Sequence, residues 1–107
     1  MSGLGEMGNL LKQAQEMQKQ VDRVRNELRA RIVVGQAGGG MVKIQITCDR
    51  HEVKGVDVSP QILKSQDRKL VEDLLSAALQ DALRRAEEVE RQAIGSVTGG
   101  MHLPGFF

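Results

Sequence analysis

A chain of 107 residues, 40% apolar and without tryptophan or tyrosine, is sized for one domain and must build its core from aliphatic side chains. A net charge of +1 does not mark a polycation, and a single cysteine excludes an intrachain disulfide and points to a reducing compartment. No apolar run approaches the roughly 20 residues of a membrane span, and the opening MSGLGEMGN lacks the basic and apolar segments of a signal peptide, so a soluble intracellular protein is expected.

In chain order, Met7, Leu10, Ala14, Met17, Val21, Val24 and Leu28 recur in alternating steps of three and four. That is a heptad seam, and it predicts a helix over about residues 7–30, with Asn9 as N-cap and a stripe suited to one partner helix. ARIVV reads as a first strand, ended by the glycines of residues 35–40. In MVKIQITC, Val42, Ile44, Ile46 and Cys48 share one face, and Met41, Lys43, Gln45 and Thr47 the other. VKGVDVS gives a third strand, with Val56 and Val58 pointing the same way, and the short connections predict an antiparallel meander. Ser59-Pro60 starts a short helical turn, and Ser65 or Asp67 caps a long helix running to about Ser96. Its apolar stripe is wide from Leu70 to Ala86 and narrow through Val89, Ala93 and Val97. The first half suits a sheet, and the second suits the N-terminal helix lying antiparallel. The expected fold is α+β, a single domain over residues 1–107 with flexible tails at 1–6 and 98–107. Small body, thin core and an apolar row of Val42, Ile44, Ile46, Val56 and Val58 predict a homodimer joined through those five residues, with helical arms projecting from it.

The glycine-rich stretch VVGQAGGGMVKIQIT invites a phosphate-loop reading that its residues do not support. Met41 and Val42 occupy the places of the required Lys and Ser/Thr, and a strand follows where a dinucleotide fold needs a helix. A turn with positive φ is expected instead. Cys48-x-x-His51 is half a zinc pattern in a chain with one Cys and two His. Cast as a nucleophile with Asp49 or Asp57, the same residues lie on a short polar turn with no cleft to exclude water. No catalytic residue, metal, cofactor or small-molecule substrate is expected.

Basic residues carry more. Lys12, Lys19 and Arg23 line the outer face of the first helix, Arg25 and Arg29 stack beside the seam, and Arg31 follows. Arg84, Arg85 and Arg91 lie on the outer side of the last helix. Surface ion pairing with Glu16, Glu27, Glu87, Glu88 and Glu90 is the ordinary alternative. With no aromatic residues placed to stack on bases, any nucleic acid held by these nine would be a duplex gripped by its phosphates.

The segments MGNLLKQAQEMQKQVDRVRNEL, GGGMVKIQIT, VDVSPQIL, LVEDLLSAALQDALRRAEE and GGMHLPGFF, in this order, resemble the YbaB/EbfC family of small bacterial nucleoid-associated proteins. KQAQEMQ and the closing G-M-x-L-P-G-F are the most specific. Ser59-Pro60 departs from a usual Asp-Pro, and CDRH from an Asn-Gly type of turn. The resemblance implies a homodimer whose sheets meet centrally while helices project as tweezers. It also implies double-stranded DNA as partner, a place in the cytoplasm and nucleoid, and roles in nucleoid organisation and gene regulation. The order of helix, hairpin and helix also resembles prefoldin-type chaperone subunits, which leaves a chaperone or coiled-coil interaction module as the alternative.

Overall fold

The structure, a computed structural model, describes residues 2–98. The elements are α1 (Ser2–Ala30), β1 (Ile32–Ala37), β2 (Val42–Thr47), β3 (Val53–Val58), α2 (Pro60–Lys64) and α3 (Arg68–Thr98). The strands form an antiparallel sheet in the order β1-β2-β3, the meander that the alternation predicts. Gly38, Gly39 and Gly40 turn the chain between β1 and β2, all with positive φ. Backbone of that hand is nearly free for glycine and costly for other residues.

Gly35 does something different from its three neighbours. It lies inside β1, paired with Ile44, and a Cβ built on it would meet Ala78 O and Ala82 N of α3, both at 2.3 Å. Helix and strand approach so closely because neither presents a side chain larger than methyl there. The first strand therefore runs to Ala37 instead of ending at the glycines, as ARIVV alone suggested.

Val42, Ile44 and Ile46 are buried against Ala78, Ala82 and Ala86, with Leu74, Leu75 and Leu83 packed around them. A second cluster joins Val21, Val24 and Leu28 of α1 to Ile94 of α3 and to Cys48, with Val89, Ala93 and Val97 beside them. Since α1 leads into the sheet and α3 leaves it, the two helices run in opposite directions along this seam. Arg50 ties the β2–β3 turn to α3 through Glu90 at 3.2 Å. Ser59 Oγ accepts from Gln61 N at 3.3 Å to cap α2, and Asp67 Oδ1 accepts from Leu70 N at 3.1 Å to cap α3. Of the two caps offered by the sequence, Asp67 is the one used.

Two boundaries differ from expectation. The first helix begins at Ser2, so residues 2–6 are helical and Asn9 is interior. Glycines 3, 5 and 8 weaken a helix without stopping it, whereas a proline would. At the other end α3 reaches Thr98, past the expected Ser96 and into the expected tail at 98–107, whose residues 99–107 lie outside the described residues. The molecule measures 76 × 20 × 16 Å, with a radius of gyration of 20.2 Å. A compact domain of this length has about 13 Å, so the arm dominates the shape.

Candidate nucleic-acid interface

At 100° per residue, Lys12, Lys19 and Arg23 fall within about 40° of one another on α1, on the side turned away from Val21, Val24 and Leu28. Lys12 and Lys19 are exposed and have no carboxylate partner among the described residues. Arg23 has a loose contact with Glu27, 3.9 Å between two exposed side chains, which water and salt screen readily. An open depression along the same stretch is lined by Asn9, Lys12, Gln13, Glu16, Met17 and Gln20. Its amide and ammonium groups can donate hydrogen bonds to phosphate oxygens. This surface is a convex rod with donors along one side.

The remaining basic residues are distributed otherwise. Arg29 leans toward Asp49, 4.0 Å away, and Arg31 sits where α1 gives way to the sheet. Arg25 is exposed one turn before Arg29. On α3, Arg84 and Arg85 both point at Asp81, at 3.7 and 2.9 Å. Arg91 is held between Glu87 and Glu88, each at 3.1 Å. Arg84, Arg85 and Arg91 thus spend their charge within the chain, as Arg68 does with Glu72, whereas Lys12 and Lys19 on α1 do not. Two basic residues outside the expected nine, Lys43 on the open side of the sheet and Lys64 on α2, are exposed and likewise have no carboxylate partner among the described residues. The outward register of Lys43 was the available signal, but counting charge along helices leads away from a strand.

Asp81 has a second task. It accepts from Gln36 N at 3.0 Å, fastening α3 to the outer edge of β1, and this bond with the Arg85 contact holds its carboxyl below the ordinary carboxylate pKa. Asp49 is lowered too, first by the Thr47 hydroxyl and then by His51 N. The Thr47 side chain, buried at the end of β2, donates to Asp49 and accepts from Glu52 N at 3.2 Å. Cys48 lies wholly in the helix seam, and burial pushes its thiol pKa up, away from thiolate chemistry. The His51 side chain is exposed, 4.0 Å from Asp49. Among the described residues no three His, Cys, Asp or Glu side chains converge as metal ligands. No helix of the described residues is long and apolar enough to cross a membrane.

The five residues expected to join two subunits do not form one surface. Val42, Ile44 and Ile46 are closed over by α3 of the same chain, so they have no area left to give a partner. Val58 is partly covered, and Val56 remains 56% exposed. The cause is lateral: α3 lies over β1 and β2 and hardly meets β3. The row therefore continues from Ile46 and Ile44 onto Val53 and Val56, where no helix among the described residues covers it.

Residues 3–101 match the model of the YbaB/EbfC DNA-binding family. The fold is similar to the crystal structure of the uncharacterized protein HP0035 from Helicobacter pylori. There the identity is 22%, the TM-score is 0.70, and the match covers 89% of this chain and 96% of that one.

Proposed function

The chain belongs to the YbaB/EbfC DNA-binding family, and we propose that it is a nucleoid-associated homodimer that grips duplex DNA by its phosphates. The observation that carries the phosphate reading is the basic face of α1 turned away from its packed seam, where Lys12 and Lys19 have no carboxylate partner among the described residues and Arg23 has only a loose, exposed one in Glu27. A convex helix with amine, guanidinium and amide donors and no aromatic side chain suits a charged backbone and offers nothing to stack on a base. Binding of this kind depends on salt and little on sequence, as suits a protein that acts on the nucleoid broadly and on transcription through it. In this reading the protein works in the cytoplasm, has no catalytic residue, and needs no cofactor or small-molecule substrate. The prefoldin-like alternative is the weaker, because among the described residues the packed helix seam is short, its buried positions on α1 running from Val21 to Leu28.

The dimer we propose uses the uncovered part of the sheet, Val53 and Val56 with the edge of β3, instead of the five residues read from alternation. An exposed edge strand with a bare apolar row is a template for pairing with another chain. Two copies meeting there would place two α1 rods on one assembly and double every phosphate contact.

Mobility shifts with random and AT-rich duplexes at two salt concentrations test the DNA reading. Comparable shifts on both duplexes that vanish together at the higher salt are expected. Tight binding to one duplex that persists at high salt would overturn it.

A further inference from the structure

The apolar seam of α1 runs on past the part that α3 packs against. Val21 is buried, whereas Leu4, Met7, Leu10 and Leu11 are between 62 and 74% exposed, and Ala14 and Met17 are exposed as well. These six prolong the line of Val21, Val24 and Leu28 toward the start of the helix. They belong to neither apolar cluster of the described residues.

We propose that this stripe pairs antiparallel with the same stripe of a second copy, and so joins neighbouring molecules on one duplex. The direction follows from α3. Val89, Ala93, Ile94 and Val97 occupy the seam of α1 over Val21 to Leu28, so a second α1 laid parallel along residues 4–17 would run into α3. Laid antiparallel, it runs out past the start of the helix, and the two bodies lie at opposite ends of the pair. Heptad geometry then sets the register: Met7 lies opposite Met17 of the other copy, and Leu10 opposite Ala14. Charge permits the contact. Glu6 apart, the positions bordering the stripe are the uncharged Gln13, Gln18 and Gln20, and in this register the two Glu6 residues are about 18 Å apart. Area sets its strength. Five side chains with about 100 Å² of exposed apolar surface each give about 1,000 Å² over both copies, the low end for a specific contact. Such a contact is weak between free molecules and is made readily by molecules that DNA already holds side by side. Lys12, Lys19 and Arg23, on the opposite face, stay open to phosphates. The contact stands on the stripe alone, and its role on a duplex rests on the DNA reading.

Cysteine variants of the full chain test the contact without DNA, with the wholly buried Cys48 left in place. In concentrated protein under mild oxidation, Met7→Cys combined with Met17→Cys is expected to link two chains, since the two positions are about 15 Å apart within one helix. Either substitution alone should stay reduced, because like positions are also about 15 Å apart across the pair. No link in the double variant would leave the stripe to another occupant and overturn the proposal. Equal linking in the single variants would overturn it too. The role on DNA is read from Leu4→Gln, Leu10→Gln and Leu11→Gln combined, which alters exposed positions only. Its affinity for a short duplex with room for one molecule should match that of wild type. On a duplex several sites long, wild type should bind cooperatively, and the variant with a Hill coefficient of about 1. Equal cooperativity in the two, or none in wild type, would overturn the role. Failure of wild type to bind even the short duplex would count against the DNA reading instead, and the disulfide result would still decide the contact.

Discussion

Gly35 and Gly39 differ by four positions and in almost everything else. Adding a methyl at Gly35 drives it into the backbone of α3 at 2.3 Å, where no side chain can swing aside. We expect Gly35→Ala to cost about 3 kcal/mol, at the upper end of ordinary overpacking. Gly39 has open space around it, and its φ of +66° is the only obstacle. Gly39→Ala should cost about 1 kcal/mol, the usual penalty for a left-handed residue. Denaturant melts of the two variants check the order, and equal losses would contradict the packing role. Asp81 supplies a second residue-scale prediction. Its carboxyl pKa is lowered in the fold, so its stabilisation is complete above the unfolded value of about 3.9 and is lost as pH falls through the lower folded value. Asp81→Asn keeps an acceptor for Gln36 N but does not titrate. The variant should be less stable than wild type at pH 7, and the gap should narrow below about pH 4. A gap of the same size at pH 7 and pH 3 would show that the charge contributes nothing.

Among the elements, β2 was the most legible, because alternation sets Val42, Ile44 and Ile46 inward whatever covers them; Thr47, read as outward, is buried where the strand enters the β2–β3 turn. What covers them was not legible. The pattern cannot distinguish an apolar row closed by the chain's own helix from one closed by a second subunit, and Val42 and Val56 look alike in it. Ala78 and Ala82 opposite Gly35, with Ala86 one turn further on, let α3 lie close over β1 and β2, and that match exists only after folding. The start of α1 was missed for a simpler reason: glycines at 3, 5 and 8 lower helix propensity, which shifts a boundary estimate without forbidding the helix. These considerations separate two variants that the alternation treats as equivalent. Ile44→Asp puts a charge into the core of one chain and should unfold it. Val56→Asp charges an exposed strand and should leave circular dichroism unchanged while shifting the proposed dimer to monomer in sedimentation. A Val56→Asp protein that remains dimeric would move the interface away from β3.

For the whole molecule, a net charge of +1 hides an uneven distribution. Most arginines of α3 are neutralised where they stand, each with a carboxylate three or four residues away, and those pairs stiffen the helix locally. The rod of α1 beyond the seam has Lys12 and Lys19 without such partners. The sequence distinguished basic helices from the rest but could not rank them, since ranking needs the side-chain pairing that only the fold shows. The most direct test of the account is the salt dependence of duplex binding by wild type and by Lys12→Gln, Lys19→Gln, Arg23→Gln combined. Each phosphate contact contributes about 0.9 to the slope of log K against log salt, and three residues counted twice in a dimer amount to a fall of about 5 at most. A folded, dimeric variant with weaker binding and a clearly shallower slope is the result predicted. The same affinity and slope as wild type would contradict the placement of DNA on α1.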